Sequence, residues 1–265
     1  MPPALPEDLS PRIVVRAPPA QLAPFVARFM LVEYLSQTDD VHFPDAGMTA
    51  AFHYRGESVL YGSDRAPDAG ITGLFDRERA HRHGAGSRLA LVAFSAGGAA
   101  SLLRVAADEL ANSTHDLADV AGKRSDWSKL VERLSAARDD DARFDLLERF
   151  FLARLGAVEI DLLTLRAAER IQAAHGRVLI GRLAADFGLS ASAFTRRFRR
   201  QVGAAPKTFA SIARLRHVLR VGPDEPNLTS LAMAADYFDQ AHFIRDFRAM
   251  TGKTPGRHFG KRAFD

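Results

Sequence analysis

The 265-residue chain contains no cysteine, which excludes disulfides, thiolate zinc centres and cysteine nucleophiles together. It has no uncharged apolar run near the ~18 residues that a membrane-crossing helix needs. Its start, Met1-Pro2-Pro3 with acids at Glu7 and Asp8, lacks the basic-then-apolar order of a secretory leader. These absences predict a cytoplasmic chain with no membrane partner. Catalytic signatures are missing as well. There is no Gly-x-Ser-x-Gly elbow. Ser95-Ala96-Gly97-Gly98 lacks the lysine and the glycine spacing of a phosphate cradle, so it reads as a turn before a helix. Asp139-Asp140-Asp141 reads as the acidic start of a helix rather than a cation site.

A hydrophobic share of 47% can fill a sizeable core, and the length allows two domains. The net charge of +4 is unevenly spread. From Leu165 onward there are 18 Lys/Arg against 8 Asp/Glu, a net of +10, whereas the first 164 residues carry −6. A concentrated positive segment implies a polyanionic partner, because counterions released from the polyanion drive binding.

Prolines at 2, 3, 6, 11, 18 and 19 predict an extended N-terminal arm. Between Leu22 and Phe94, short apolar runs (Thr49–Tyr54, Glu57–Tyr61, Arg88–Phe94) alternate with Gly-, Pro- and Asp-rich turns, the pattern of a small β-rich domain. After Gly97-Gly98 the period becomes helical, over Ser101–Leu110, Trp127–Ala137 and Arg143–Leu155. Phe144, Leu147, Phe150, Phe151 and Leu155 form an apolar face that packs in a core or between two copies of the chain. Gly156–Asp161 is the expected boundary, giving one domain over 1–160 and a second over 161–265. The expected fold class is α+β: a β-rich N-terminal domain with helices, then an all-α C-terminal domain. The front-half aromatics, Phe25, Phe29, Tyr34, Phe43, Phe52, Tyr54, Tyr61 and Phe75, read mainly as core, with a subset available to line an effector pocket.

The basic segment contains a repeat. Leu183-Ala184-Ala185-Asp186-Phe187-Gly188-Leu189-Ser190 resembles the run from Leu231 to Asp239, and beyond the turn the two copies keep a constant offset. Phe194 corresponds to Phe243, Arg196 to Arg245, Phe198 to Phe247, Gly203 to Gly252 and Pro206 to Pro255. Ser190 and Asp239 suit N-caps, the paired phenylalanines share one buried face, and glycine then proline stops one helix and starts the next. A short helix, a turn and a capped basic helix make a helix-turn-helix, whose second helix fits a major groove about 12 Å wide. Lys207–Arg220 reads as a helix holding the two modules at a fixed spacing.

These residues resemble the AraC/XylS family of transcriptional regulators, over about 165–265. The more specific run is Asp239-Gln240-Ala241-His242-Phe243-Ile244-Arg245-Asp246-Phe247-Arg248, closing on Thr251-Gly252-Lys253-Thr254-Pro255. The resemblance implies base-edge contacts from Ser192, Thr195 and Arg196 in the first recognition helix, and from Gln240, Ala241, Ile244 and Arg245 in the second. Arginine suits guanine and glutamine suits adenine. Arg199, Arg200, Lys207 and Arg214 are expected at phosphates. Two departures stand out. Asp236 replaces the usual turn glycine, and Ala241 and Ile244 offer thymine methyls only apolar contact. The expected partners are double-stranded DNA, a small-molecule effector, RNA polymerase and a second copy of the chain. Looser likeness at Leu91–Ala99 and Leu117–Gly122 implies a regulatory, sensing or dimerising domain over 1–160, ahead of a DNA-binding domain of two helix-turn-helix modules over 161–265.

No cofactor is implied. His42, His53, His81 and His83 would suit a cupin-like metal site, since alternate strand residues share a face. Yet arginines at 77, 79 and 82 and glycines at 84 and 86 suggest an exposed loop, and no carboxylate lies at clear ligand spacing. The expectation is therefore no metal. The competing reading is a front-half enzyme or metal-binding domain tethered to DNA, and a weaker one is a non-specific nucleic-acid scaffold.

Overall fold

The computed structural model describes residues 10–60, 65–158, 161–235, 237 and 239–260. The first half runs β1 (Arg12–Arg16), β2 (Val26–Glu33), β3 (Thr38–His42), β4 (Thr49–Arg55), β5 (Ser58–Leu60), β6 (Ala69–Thr72), β7 (Arg79–His83), β8 (Arg88–Phe94), α1 (Gly98–Leu103), β9 (Thr114–Asp116), α2 (Leu117–Val120), α3 (Arg124–Ala136) and α4 (Asp140–Leu152). The second half is helical: α5 (Leu162–Ala173), α6 (Ile180–Asp186), α7 (Ala191–Val202), α8 (Pro206–Val221), α9 (Leu228–Ala234), α10 (Gln240–Thr251) and α11 (Pro255–Phe259).

The strands form a six-stranded antiparallel sheet, β1-β2-β8-β4-β6-β9, and a three-stranded one, β3-β7-β5. Register fixes which residues meet. Phe29 lies opposite Val92 and Leu31 opposite Ala90. Ala50 and Phe52 flank the same two residues from the other side. That face packs on α3 and α4 through Trp127, Leu130, Leu134, Phe144, Leu147 and Phe151, all buried. On the apolar face of α4, Phe144, Leu147 and Phe151 are core, with Phe150 and, beyond the helix end, Leu155 partly buried against it. Asp139 caps α4 by accepting from the Ala142 amide, and Asp140 and Asp141 fill its first turn, as the acidic run predicts.

Three expectations change. The arm yields a strand from Arg12, because Ile13-Val14-Val15 lies between Pro11 and Pro18 with no breaker inside it. The helix expected over Ser101–Leu110 ends at Leu103, where Arg104 turns left-handed (φ 56), and a 3-10 turn at Ala107–Glu109 follows. Arg79–His83 is strand β7 rather than loop, paired on one side with β3 and on the other with β5. Tyr61, Glu159 and Ile160 lie outside the described residues.

The two halves share buried surface. Ala46, Leu74 and Ala96 from the front join Phe194, Phe198, Val202 and Phe209 in one cluster. A side chain at Gly203 would sit 3.0 Å from the Ala107 carbonyl oxygen, so a glycine there serves both the helix stop (φ 94) and the close approach. Arg216 of α8 pairs with Asp45, which Arg28 also approaches at 3.6 Å. The Glu78 amide donates to the Met250 carbonyl (2.8 Å), and Phe43 meets His258 edge-on at 5.1 Å.

Phe198 is fully buried, with Phe194 at 5.7 Å and Phe209 at 5.4 Å between ring centroids. Phe198→Ala should therefore cost roughly 3–5 kcal/mol of stability. Denaturant unfolding of the full chain measures it, and a loss below about 1 kcal/mol would contradict this packing.

Candidate nucleic-acid interface

Helix α7 begins because Ser190, in extended backbone, accepts the Ala193 amide at 3.3 Å. It ends at Gly203, whose left-handed φ lets its amide bond the Arg199 carbonyl. Pro206 then occupies the first turn of α8, where its missing N–H is harmless. The same sequence of events shapes α10. Asp239 accepts the His242 amide at 2.7 Å, Gly252 (φ 69) stops the helix, and Pro255 opens α11. At the turn before α7, Gly188 takes φ 68. Its counterpart in the second copy, Asp236, lies outside the described residues.

Burial divides each helix. Phe194, Phe198 and Val202 face inward on α7, and Phe243, Phe247 and Met250 on α10. The opposite faces carry the predicted reading residues. Ser192, Arg196, Arg199 and Arg200 are exposed on α7 and Thr195 is half-buried. Gln240, Ala241 and Arg245 are exposed on α10, with Ile244 half-buried. Gln240 Nε2 donates to Thr229 Oγ1 of α9 at 2.5 Å, and Arg245 Nε donates to the Ala241 carbonyl of its own helix at 3.3 Å. Lys207 is exposed at the start of α8.

Arg214 is placed differently from the other expected phosphate ligands. Its guanidinium donates to the Gly176 carbonyl (3.2 Å) and to Ser211 Oγ (3.1 Å), and it lies 5.6 Å from the Tyr237 ring centroid. It is a half-buried strut between the two modules. Its spacing on a basic helix looks like that of a surface arginine, and only the tertiary contact with the turn at Gly176 reveals the difference.

Two features escape sequence reasoning because both arise from residues distant in the chain. Arg197 is held by Asp161, Nε and the terminal nitrogen each donating at 2.8 Å, while Asp161 also caps α5 by accepting from the Thr164 amide and hydroxyl. One carboxylate thus fixes both the start of α5 and the orientation of α7. The second feature is Asp108, on the 3-10 turn of the front half, which lines a surface concavity with Ala191, Ser192, Thr195, Arg196 and Arg199. The exposed face of α7 therefore looks onto an acidic group of the other half.

In the front half, Phe25, Phe29, Phe52 and Tyr54 are packed in the core rather than around a pocket. A cleft of about 270 Å3 instead lies between the halves, lined among others by Arg28, Asp45, Met48, Leu165, Glu169 and Arg216. No helix among the described residues is long and apolar enough to cross a membrane.

Two capped basic helices, each last in a helix-turn-helix and each with its polar face outward, define a tandem DNA-binding domain. Residues 183–260 match the Helix-turn-helix domain family. Residues 15–116 match a domain of unknown function, DUF6597. Comparison with curated proteins gives no match. Among solved structures, an apo ToxT variant from Vibrio cholerae is 11% identical and aligns over 93% of this chain and 99% of its own, with a TM-score of 0.48. Wild-type ToxT with bound unsaturated fatty acid, from the same organism, is 8% identical, with 87% and 94% covered and a TM-score of 0.48. A probable AraC family transcriptional regulator from Rhodopseudomonas palustris is 29% identical over 39% of this chain and 98% of its own, with a TM-score of 0.34. The C-terminal half therefore carries a helix-turn-helix domain over residues 183–260.

Burial alone raises the Asp161 carboxyl, but the bonds from Arg197 and Thr164 outweigh it and leave it below its ordinary value. A carboxyl depressed in the folded state adds stability above its unfolded pKa and loses it as pH falls through the folded one. Stability should therefore drop as pH falls below about 4. Asp161→Asn should be less stable at neutral pH and flatter across that acid window, as followed by chemical denaturation at several pH values. An unchanged acid limb would show that the pair does not anchor α7.

Proposed function

We propose that this chain is a cytoplasmic, sequence-specific transcription regulator whose two recognition helices read successive major-groove faces of one duplex. The observation that supports it is the repetition of one architecture: the same cap, the same inward phenylalanines and the same outward arginine in α7 and α10. In this reading Ser192, Thr195 and Arg196 contact base edges from α7, as do Gln240, Ala241, Ile244 and Arg245 from α10. Arg199, Arg200 and Lys207 meet phosphates. Its work is recognition rather than catalysis. Residues 1–160 are the sensing or dimerising part and 161–265 the DNA-binding part.

The contact between the halves gives this reading a means of control. Asp108 beside the α7 reading face repels phosphate oxygens, and the pairing of Asp45 with Arg216 ties the front half to the helix that spaces the modules. A small molecule entering the cleft at Arg28, Asp45 and Arg216 changes those contacts directly. The promoter geometry then decides between activation and repression, with RNA polymerase as the further partner.

Selection of random duplexes by the full chain tests the first claim. The expected motif has two half-sites about one helical turn, roughly 34 Å, apart. Arg196→Ala and Arg245→Ala should each cost about 1–3 kcal/mol and relax preference within one half-site. Arg199→Ala should weaken all sequences alike and lower the salt slope by about one. Equal binding to random and selected duplexes would instead favour the non-specific scaffold. Asp108→Asn should tighten DNA binding by the full chain in a mobility-shift titration, and unchanged affinity would remove the acid as a restraint.

A further inference from the structure

The small sheet has an inverted polarity. Cross-strand partners share a face, and here Thr38 and Ser58 flank His83, Asp40 and Leu60 flank His81, and His42 lies opposite Arg79. This face is turned toward the protein, with His83 only 4% exposed. Val41 and Val59, on the other face, are each 41% exposed. An antiparallel sheet ordinarily puts apolar residues inward and polar ones out. Packing therefore does not account for histidines on the covered side.

We propose that His42, His81 and His83 form a site for one first-row divalent transition ion of the zinc class. One ring nitrogen from each lies within 4.8 Å of the others. Nitrogens on a tetrahedral ion with bonds of about 2.0–2.1 Å stand roughly 3.3 Å apart, so small side-chain rotations close the set. His83 is already oriented. Its Nδ1 lies 2.7 Å from Ser58 Oγ, and its buried Nε2 has no hydrogen-bond partner among the described residues. With Ser58 accepting the Nδ1–H, Nε2 presents a lone pair, which is the outer support that metal-bound imidazoles generally have. Tyr34 stacks flat on His83, with centroids 4.0 Å apart and planes 8° apart, and its hydroxyl donates to Asp40 Oδ2 at 3.3 Å. Asp40 Oδ2 is in turn 3.7 Å from His42 Nε2, which brings an anionic oxygen beside the imidazoles.

The chemistry of the set agrees with its geometry. Imidazoles suit zinc, nickel, copper and iron rather than magnesium or calcium. Arg79, on the same face, lays its guanidinium 5.4 Å from the Phe75 ring centroid. The site stands where the two halves meet. Phe43, which follows His42, touches His258, and Glu78, which precedes Arg79, bonds Met250 of α10.

The test uses the full chain, stripped with a chelator and titrated with Co2+ and then Zn2+. The expected result is one equivalent of Co2+ with visible d–d absorption, displaced by Zn2+. His42→Ala and His81→Ala, at partly exposed positions that leave the buried core intact, should weaken binding by more than about a hundredfold. Ser58→Ala should weaken it by about tenfold, as loss of outer support does. His83→Ala is interpreted only where circular dichroism matches the parent. A folded chain that takes up neither ion, or one whose affinity is the same in the His42 and His81 variants, overturns the proposal.

Discussion

Two helices that must be wet on one side and dry on the other determine most of what the C-terminal half can do. Phe194 and Phe198 on α7, and Phe243 and Phe247 on α10, are essentially fully buried at a spacing of four residues. Once those rings are inside, the helical period leaves Arg196 and Arg245 no direction but outward. The basic charge is thereby sorted onto two similar surfaces instead of being smeared over the domain. The caps and stops at Ser190, Asp239, Gly203 and Gly252 keep each surface one helix long. Arg214 shows the same logic in reverse, because a guanidinium that found carbonyl and hydroxyl acceptors beside it was drawn in to brace the modules.

Electrostatics connects the halves as much as packing does. The front half carries the acidic excess, and several of its acids stand at the shared boundary: Asp45 at Arg216, Asp108 at the α7 face, and Glu78 against Gly252. Of these, Asp45 pairs with Arg216, and Asp108 lines a concavity with Arg196 and Arg199. Such pairs are individually modest when partly exposed. Together they hold the front half against the helical half. Ala46, Leu74 and Ala96 add apolar contact at the same boundary.

How much was legible follows from which interactions are local. The repeat, its caps, its inward rings and its exposed arginines rest on neighbours in sequence, and the structure places them as the spacing implies. Strands at Thr49–Arg55 and Arg88–Phe94 were equally plain from their apolar runs. What failed depended on distant partners. Arg79–His83 resembled a loop because its apolar face is missing, and only pairing with β3 and β5 makes it a strand. The helix after Gly98 stopped early at a left-handed Arg104, a residue with no breaker signature. Asp161 gave no hint of holding Arg197, and Asp108 none of facing α7, because those encounters are made by the fold.

The single tryptophan has an optical consequence. Trp127 is 2% exposed, donates its Nε1–H to the Ala121 carbonyl at 2.5 Å and sits among Phe52, Phe150 and the Arg154 guanidinium. With no other indole in the chain, tryptophan emission comes from the front half alone, and the C-terminal half holds only Tyr237. Tryptophan emission therefore observes the front half, whereas far-ultraviolet dichroism observes the backbone of both halves. Where the two melting curves coincide, the shared boundary is strong enough to make the protein unfold as a unit. Where they separate, the gap between them measures how loosely the regulator's two parts are joined.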